Sequence, residues 1–298
     1  MRTAEYILEM ARVKPGKKFR LKDHDPGWAG DKDVPKKERR AIAEKIFTEE
    51  GIALAKAQEL LYASDKYAIL LVFQAMDAAG KDSTIKHVMS GINPQGCQVF
   101  SFKHPSAEEL DHNFMWRYTK ALPERGRIGI FNRSYYEEVL IVKVHPEILA
   151  NQRIPNGKPS KEFWQHRYDD INCLERHLTQ NGTVILKFFL HLSKEEQCAR
   201  FIDRLEDPQK HWKFSDADLK ERGYWDEYMA AYEDCIRETN TAWAPWHVIP
   251  ADHKWVSRAM VAHIVTKTIA SLDLKYPEVT KDKLASINDA KKKLAAER

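Results

Sequence analysis

Phe73 to His87 reads FQAMDAAGKDSTIKH, directly after an apolar run and at the start of a helical pattern. A phosphate-binding loop has the form G-x-x-x-x-G-K-[ST] between a strand and a helix. Gly80 and Lys81 keep the centre of that form, but Ala75 stands for the first Gly and Asp82 for the hydroxyl residue. A further acid, Asp77, lies inside the loop. In such a loop the backbone N–H groups around Ala78, Ala79 and Gly80, with the helix N-terminus, face an anion, and Lys81 adds a positive charge. The competing reading is a plain strand-to-helix turn with a solvated lysine.

The acids decide what else the loop needs. A carboxylate a few ångströms from phosphate oxygens is repulsive, strongly so out of water. Asp77 therefore calls for a cation between itself and the phosphate. Mg²⁺ suits, since it takes one or two carboxylates plus substrate phosphates and water; Mn²⁺ is a substitute. Asp82 either joins that metal or favours the positive end of the helix, and Ser83 or Thr84 supplies the displaced hydroxyl. Ala75 can replace Gly if its φ stays negative.

A second chemical stretch is RIGIFNRSYYEEVLIVKVH, an apolar strand ending in Asn132-Arg133-Ser134. At this place such enzymes often present an acid to the metal. Asn132 offers a carbonyl oxygen or a hydrogen bond without charge. Arg133 can clamp phosphate with its fork of donors, or pair with an acid such as Glu137. A third stretch, ARFIDRLEDPQKHWKFSDADLKERGYWDEY, carries Arg200, Arg204, Lys210, Lys213, Lys220 and Arg222, interrupted by Asp207-Pro208. It is either a mobile cationic lid or a solvated face. Lys187 interrupts the apolar run TVILKFFLH, and its bland reading is an edge lysine that snorkels outward.

Elements must hold these residues in place. Five short apolar runs, at 67–74, 97–102, 127–132, 183–191 and 246–251, alternate with helical patterns at about 81–91, 106–120, 160–180, 193–240 and 253–274. That alternation implies βαβ units, a parallel sheet and helices on both faces. Residues 36–63 read as a helix, broken near Gly51. Residues 12–35, rich in Lys, Asp, Pro and Gly, read as an arm outside the core. The tail after residue 275 reads as a charged amphipathic helix. Ser193 with Glu196, and Ser215 with Asp218, resemble capping boxes.

The chain has 298 residues, 43% hydrophobic and 31% charged, with a net charge of +4. That size allows one large α/β domain or two smaller ones, and the mild charge does not by itself point to nucleic acid. The four scattered cysteines include no C-x-x-C, which argues against zinc and disulfides and suits a reducing cytoplasm. The opening MRTAEYILEMARV carries acids within its apolar stretch, so it does not read as a signal peptide. No run approaches the ~18 apolar residues of a membrane span.

Taken together, the landmarks MDAAGKDSTIKHV, GINPQG, SFKHPS, MWRYTKALPERGRIGIFNRSYYEEVL, ILKFFLHLSKEEQ, DPQKHWKFSDADL and TAWAPWHVIPADHKW, followed by Arg258, resemble polyphosphate kinase family 2 from about Leu61 to Arg258. The resemblance implies a three-layer P-loop kinase fold similar to thymidylate kinase, with a five-stranded parallel sheet and a helical lid. It divides the chain into an N-terminal arm and helix (1–60), a kinase domain (61–275) with its lid at about 200–226, and a C-terminal helix (276–298). It implies Mg²⁺-dependent transfer of phosphoryl groups between inorganic polyphosphate and nucleotides, AMP and ADP foremost, with guanine nucleotides as further candidates. Asp77, Lys81 and Arg133 are then the catalytic residues. Ala78, Ala79, Gly80, Asp82, Ser83, Arg117, Asn132 and Glu137 bind phosphate or nucleotide, and Lys187, Arg200, Arg204, Lys210 and Lys213 bind polyphosphate. The metal falls to Asp77, with Asn132 and Asp82 as candidates. Subunits are expected to form dimers or tetramers. Rival readings are an ATP-dependent nucleoside or nucleotide kinase on the same fold, and a non-catalytic polyanion binder.

Overall fold

The computed structural model describes residues 9–16, 18–155 and 157–297; the opening stretch read above for a signal peptide lies mostly outside them. Five strands, β1 (Ala68–Gln74), β2 (Cys97–Ser101), β3 (Ile128–Asn132), β4 (Thr183–His191) and β5 (Trp246–Pro250), form one parallel sheet in the order β2-β3-β1-β4-β5. β1 is the central strand, and all seven of its residues are buried. Strands covered on both faces are apolar throughout, which is why AILLVFQ shows no alternation.

The period of two nevertheless sorts its side chains. Ile69, Leu71 and Phe73 enter one core, and Leu70 and Val72 enter the other. The first core is closed by α1 (Lys36–Ser64), α2 (Lys81–Val88) and α7 (Lys254–Ala270). The second is closed by α3 (Lys161–Gln180), α6 (Trp225–Thr239) and the turn Tyr135–Val139. This is the expected P-loop kinase arrangement. β3 lies in register beside β1, with Phe73 opposite Asn132, so the carboxyl ends of the two central strands open side by side. In open α/β sheets ligands bind at such an end.

Three local expectations change. α1 runs unbroken through Gly51. The glycine costs about 1 kcal/mol, which packing of Ala43, Leu54, Gln58 and Leu61 offsets. The helical pattern at 193–240 is not one helix. It divides into α4 (Lys194–Glu206), a 3-10 turn (Pro208–Lys213), α5 (Asp216–Gly223) and α6. Pro208 has no N–H to continue α4, and the Asp207 carboxylate instead accepts from the Gln209 amide at 3.0 Å. The arm, third, is not outside the core. Val13, Phe19 and Leu21 are buried in the second core and Ala29 in the first. The Val13 amide donates to the Trp246 carbonyl at 2.9 Å, so the arm seals the edge of β5.

α8 (Lys281–Ala296) buries no residue. Among the described residues no helix is long and apolar enough to cross a membrane.

Candidate active site: the loop after the central strand

The loop between β1 and α2 is held by its carbonyls. Lys81 Nζ donates to the Ala75 oxygen at 2.7 Å and the Met76 oxygen at 3.4 Å. Gln197 Nε2 takes the Asp77 oxygen at 2.9 Å. Arg200 Nη1 takes the oxygens of Ala78 and Ala79, each at 3.0 Å. Every carbonyl from Ala75 to Ala79 thus accepts from a side chain; the Ala79 amide also donates to the Met76 oxygen at 3.3 Å, and the other N–H groups of the loop and of the first turn of α2 are its donors toward an anion. Gly80 caps α2 at φ +98°, a conformation that L side chains rarely adopt. Ala75, by contrast, is not among the positive-φ residues, so its substitution for Gly carries no backbone strain. The strain sits at Ala78, φ +62°, worth roughly 1–2 kcal/mol; Gln197 holds the carbonyl of the peptide before it and Arg200 that of the peptide after it.

Around the loop the structure gathers Asp77, Lys81, Asp82, Asn132, Arg133 and Glu137. Arg133 Nη2 lies 3.3 Å from Asp77 Oδ1. Arg133 itself is at φ +63°, with its amide bonded to the Phe73 carbonyl at 3.1 Å, which turns the chain sharply off the end of β3. Asn132 Nδ2 donates to Asp82 Oδ1 at 2.5 Å and to Ser101 Oγ at 3.3 Å. Glu137 Oε1 accepts from Gln74 Nε2 at 2.7 Å, and Ser134 Oγ donates to Gln74 Oε1 at 3.3 Å. Burial lowers the Lys81 pKa; the Asp77 carboxylate is the largest effect against it, and Glu137 and Asp82 add to that. Burial also opposes the charge of Arg133, but Glu137 and Asp77 more than offset it and its pKa is raised. Three carboxylates therefore face two cations.

Among the described residues no three His, Cys, Asp or Glu side chains are grouped to hold a metal ion by themselves. Asp77 and Asp82 are hard oxygen donors, which fits a cation whose remaining ligands are water and substrate oxygens.

Other expected site residues lie elsewhere. Lys187 is fully buried. Its Nζ donates to Glu175 Oε2 at 2.6 Å, the Thr239 carbonyl at 2.7 Å and the Tyr136 hydroxyl at 2.9 Å. Glu175 Oε1 in turn accepts from the hydroxyls of Tyr135 and Tyr136. Lys187 neither snorkels nor reaches a polyphosphate; it ties β4, α3 and α6 to the turn behind Arg133. Arg200 is likewise not a free channel cation. Besides the loop carbonyls it donates to Glu196 at 2.8 Å, Ala251 at 2.6 Å and Asp252 at 3.1 Å, which uses all its donors. Arg204 pairs with Asp218 at 2.8 Å. Lys210 pairs with Asp207 at 2.8 Å on the surface, and Lys213 is exposed with its ammonium 4.9 Å from the Trp212 ring centre. Arg117 is buried beside the Phe102 and Tyr118 rings and bonds the Lys103 carbonyl at 2.6 Å and Glu109 at 3.2 Å. Its bonds do not join it to the loop cluster.

The residues that sequence reasoning missed are supports. Gln197, 1% exposed, joins the Asp77 carbonyl to Arg222, whose Nη1 donates to Gln197 Oε1 at 2.8 Å. Arg258 Nη2 donates to Ser83 Oγ at 2.7 Å. Gln74 had a legible signal, as a polar residue closing an otherwise apolar strand; Gln197 had none, because an interior glutamine on an amphipathic helix looks like any surface one.

The family model described as polyphosphate kinase 2 matches residues 36–277. An ADP-polyphosphate phosphotransferase of Rhodopseudomonas palustris is 61% identical over 76% of this chain and 79% of its own length. An AMP/ADP-polyphosphate phosphotransferase of Meiothermus ruber is 44% identical over 91% of this chain and 96% of its own. The crystal structure of polyphosphate kinase 2 from Arthrobacter aurescens TC1 superposes with a TM-score of 0.85 at 38% identity, over 98% of this chain and 97% of that one.

Proposed function

The chain belongs to the polyphosphate kinase 2 family, and from that premise we propose that it reversibly transfers phosphoryl groups from inorganic polyphosphate to nucleotides, AMP to ADP and ADP to ATP. The observation that carries the reading is the loop whose five carbonyls, Ala75 to Ala79, are all turned to side chains while Lys81 and Arg133 stand beside its acids. Phosphoryl transfer asks little covalent chemistry of a protein; it asks for alignment and charge neutralisation. The loop amides and Lys81 hold the phosphate at the transfer point. Arg133 stabilises charge on the moving group as the nucleotide's terminal phosphate attacks the end phosphorus in line, the bridging P–O bond to the next unit breaks, and polyphosphate leaves one unit shorter. Asp77, with Asp82 and the Asn132 carbonyl oxygen beside it, would hold Mg²⁺ or Mn²⁺, which when bound neutralises phosphate charge. Lys210 and Lys213, exposed on the lid, meet the polyanion from outside. The subunits assemble as dimers or tetramers, which light scattering on the eluting species would check.

The deciding experiment mixes purified protein, Mg²⁺ and polyphosphate with AMP, ADP or GDP separately and reads the products by chromatography. ADP from AMP and ATP from ADP are expected. Products from ADP alone would narrow the acceptor, as the name of the Rhodopseudomonas relative does. Turnover with ATP as sole donor and none with polyphosphate would replace the reading with an ordinary nucleotide kinase.

A further inference from the structure

None of the 8 residues of α5 is buried, so no apolar core fixes this helix and its position rests on polar ties. Those ties run to both sides of the candidate site. Arg222 Nη1 donates to Gln197 Oε1 and to the Lys194 carbonyl, each at 2.8 Å. Gln197 Nε2 in turn holds the Asp77 carbonyl at 2.9 Å. Arg204 of α4 donates to Asp218 at 2.8 Å. On the other side, Glu221 Oε2 accepts from the Tyr228 hydroxyl of α6 at 2.6 Å and from His145 Nε2 at 2.8 Å. A carboxylate can only accept, so Nε2 carries the proton in that bond.

His145 is 8% exposed and ends the segment that leaves β3 through Arg133, the Tyr135–Val139 turn and the helical turn Ile141–Val144. Its amide donates to the Ile141 carbonyl at 2.8 Å, and its ring packs edge-on against Tyr224 with centroids 4.7 Å apart. Nδ1 lies 3.3 Å from the exposed Glu147 carboxylate. Of the ties of α5 named above, only the one to His145 reaches the Arg133 segment. The helix therefore spans the segment that carries Arg133 and the loop that carries Asp77. Those two residues meet directly in a single 3.3 Å ion pair between side chains 42% and 35% exposed. Such a pair is worth about 0–1 kcal/mol, too little to align two segments unaided. Burial and then the Asp77 carboxylate raise the pKa of Asp218, so α5 also lies within the field of the loop.

We propose that His145 is a positioning residue for phosphoryl transfer: it anchors α5 to the Arg133 segment and, through Arg222 and Gln197, sets the Asp77 loop in line with Arg133. The imidazole touches neither substrate nor metal. Its effect is on alignment, and it is transmitted along one helix that has no core of its own.

The test is a double-mutant cycle on kcat, run with ADP and polyphosphate on the full-length protein well below its melting temperature. His145→Leu should lower kcat about tenfold while the KM values for ADP and polyphosphate move less than about threefold, the pattern of lost alignment. His145→Gln, which keeps an N–H donor, should recover most of the rate. Glu221→Ala, on a helix that buries nothing, should reproduce the loss without disturbing the core. Combined with Gln197→Leu, His145→Leu should cost about tenfold in all, because both cut one line; independent effects would multiply to about a hundredfold. A multiplicative double variant, or Glu221→Ala at the wild-type kcat, would overturn the proposal. So would a lower melting temperature in His145→Leu with kcat unchanged. The inference rests on the phosphoryl-transfer reading above and not on its donor. A wild type that uses ATP and ignores polyphosphate would overturn the polyphosphate reading, and the same cycle run with ATP would still decide the role of His145.

Discussion

Asn132 Nδ2 lies 2.5 Å from Asp82 Oδ1, a hydrogen bond from the last residue of β3 to the first turn of α2. Only the side-chain nitrogen can donate, which leaves the side-chain oxygen as an acceptor. The bond spans the two elements that carry Arg133 and Lys81. It also keeps the Asp82 carboxylate at the positive helix N-terminus.

Asn132→Asp should turn this bond into a carboxylate pair. Without metal, the variant should lose about 1.5–3 kcal/mol, the worth of a hydrogen bond to a charged group, and Mg²⁺ should restore more stability than it gives the wild type. Thermal melts with and without MgCl₂ check this. Equal melting points without metal would mean that the bond contributes nothing.

Asp77→Asn should reduce kcat on the order of 10²-fold or more, the scale of removing one preorganised electrostatic group, while circular dichroism stays native. Excess Mg²⁺ should not rescue it. Full recovery at high Mg²⁺ would reduce Asp77 to a modest affinity determinant.

Gln197→Leu removes the link between the Asp77 carbonyl and Arg222 of α5. Arg222 Nη1 keeps the Lys194 carbonyl at 2.8 Å, so the loss falls on the half-buried Asp77 carbonyl and costs about 1 kcal/mol of stability. Since the loop geometry depends on that carbonyl, kcat should fall about tenfold beyond any loss of folded protein. A lower melting point with unchanged kcat would make the glutamine purely structural.

Lys187→Met should destabilise the fold by about 3–5 kcal/mol, because Glu175 is left charged and buried. Adding Glu175→Gln should recover part of that, as removing both charges costs less than removing one. Denaturant midpoints measure both variants. A rise in polyphosphate KM with unaltered stability would restore Lys187 to the substrate path.

Two buried histidines set an acid limit. Burial lowers His191 and His247 to about 4, against the ordinary 6.5. The unfolded chain binds these protons at higher pH than the native one, so stability is full above about 6.5 and is lost as pH falls toward 4. Each histidine contributes a slope of about 1.4 kcal/mol per pH unit in that window. His247→Gln should flatten the urea-midpoint profile between pH 6.5 and 4.

Much of this protein is legible in its one-dimensional pattern. Apolar runs such as AILLVFQ, spaced by helical periods, specify a parallel sheet, because burial on both faces demands uninterrupted apolar side chains. Gly80-Lys81 after such a run specifies an anion cradle, and Asp77 within it calls for a cation. What the pattern could not decide is which cations are free. Arg200, Lys187 and Lys213 are equally basic on paper. Only packing spends Arg200 on five acceptors and seals Lys187 against Glu175, while Lys213 stays exposed. A charge's role depends on what lies within a few ångströms of it, and those neighbours come from segments far apart in the chain.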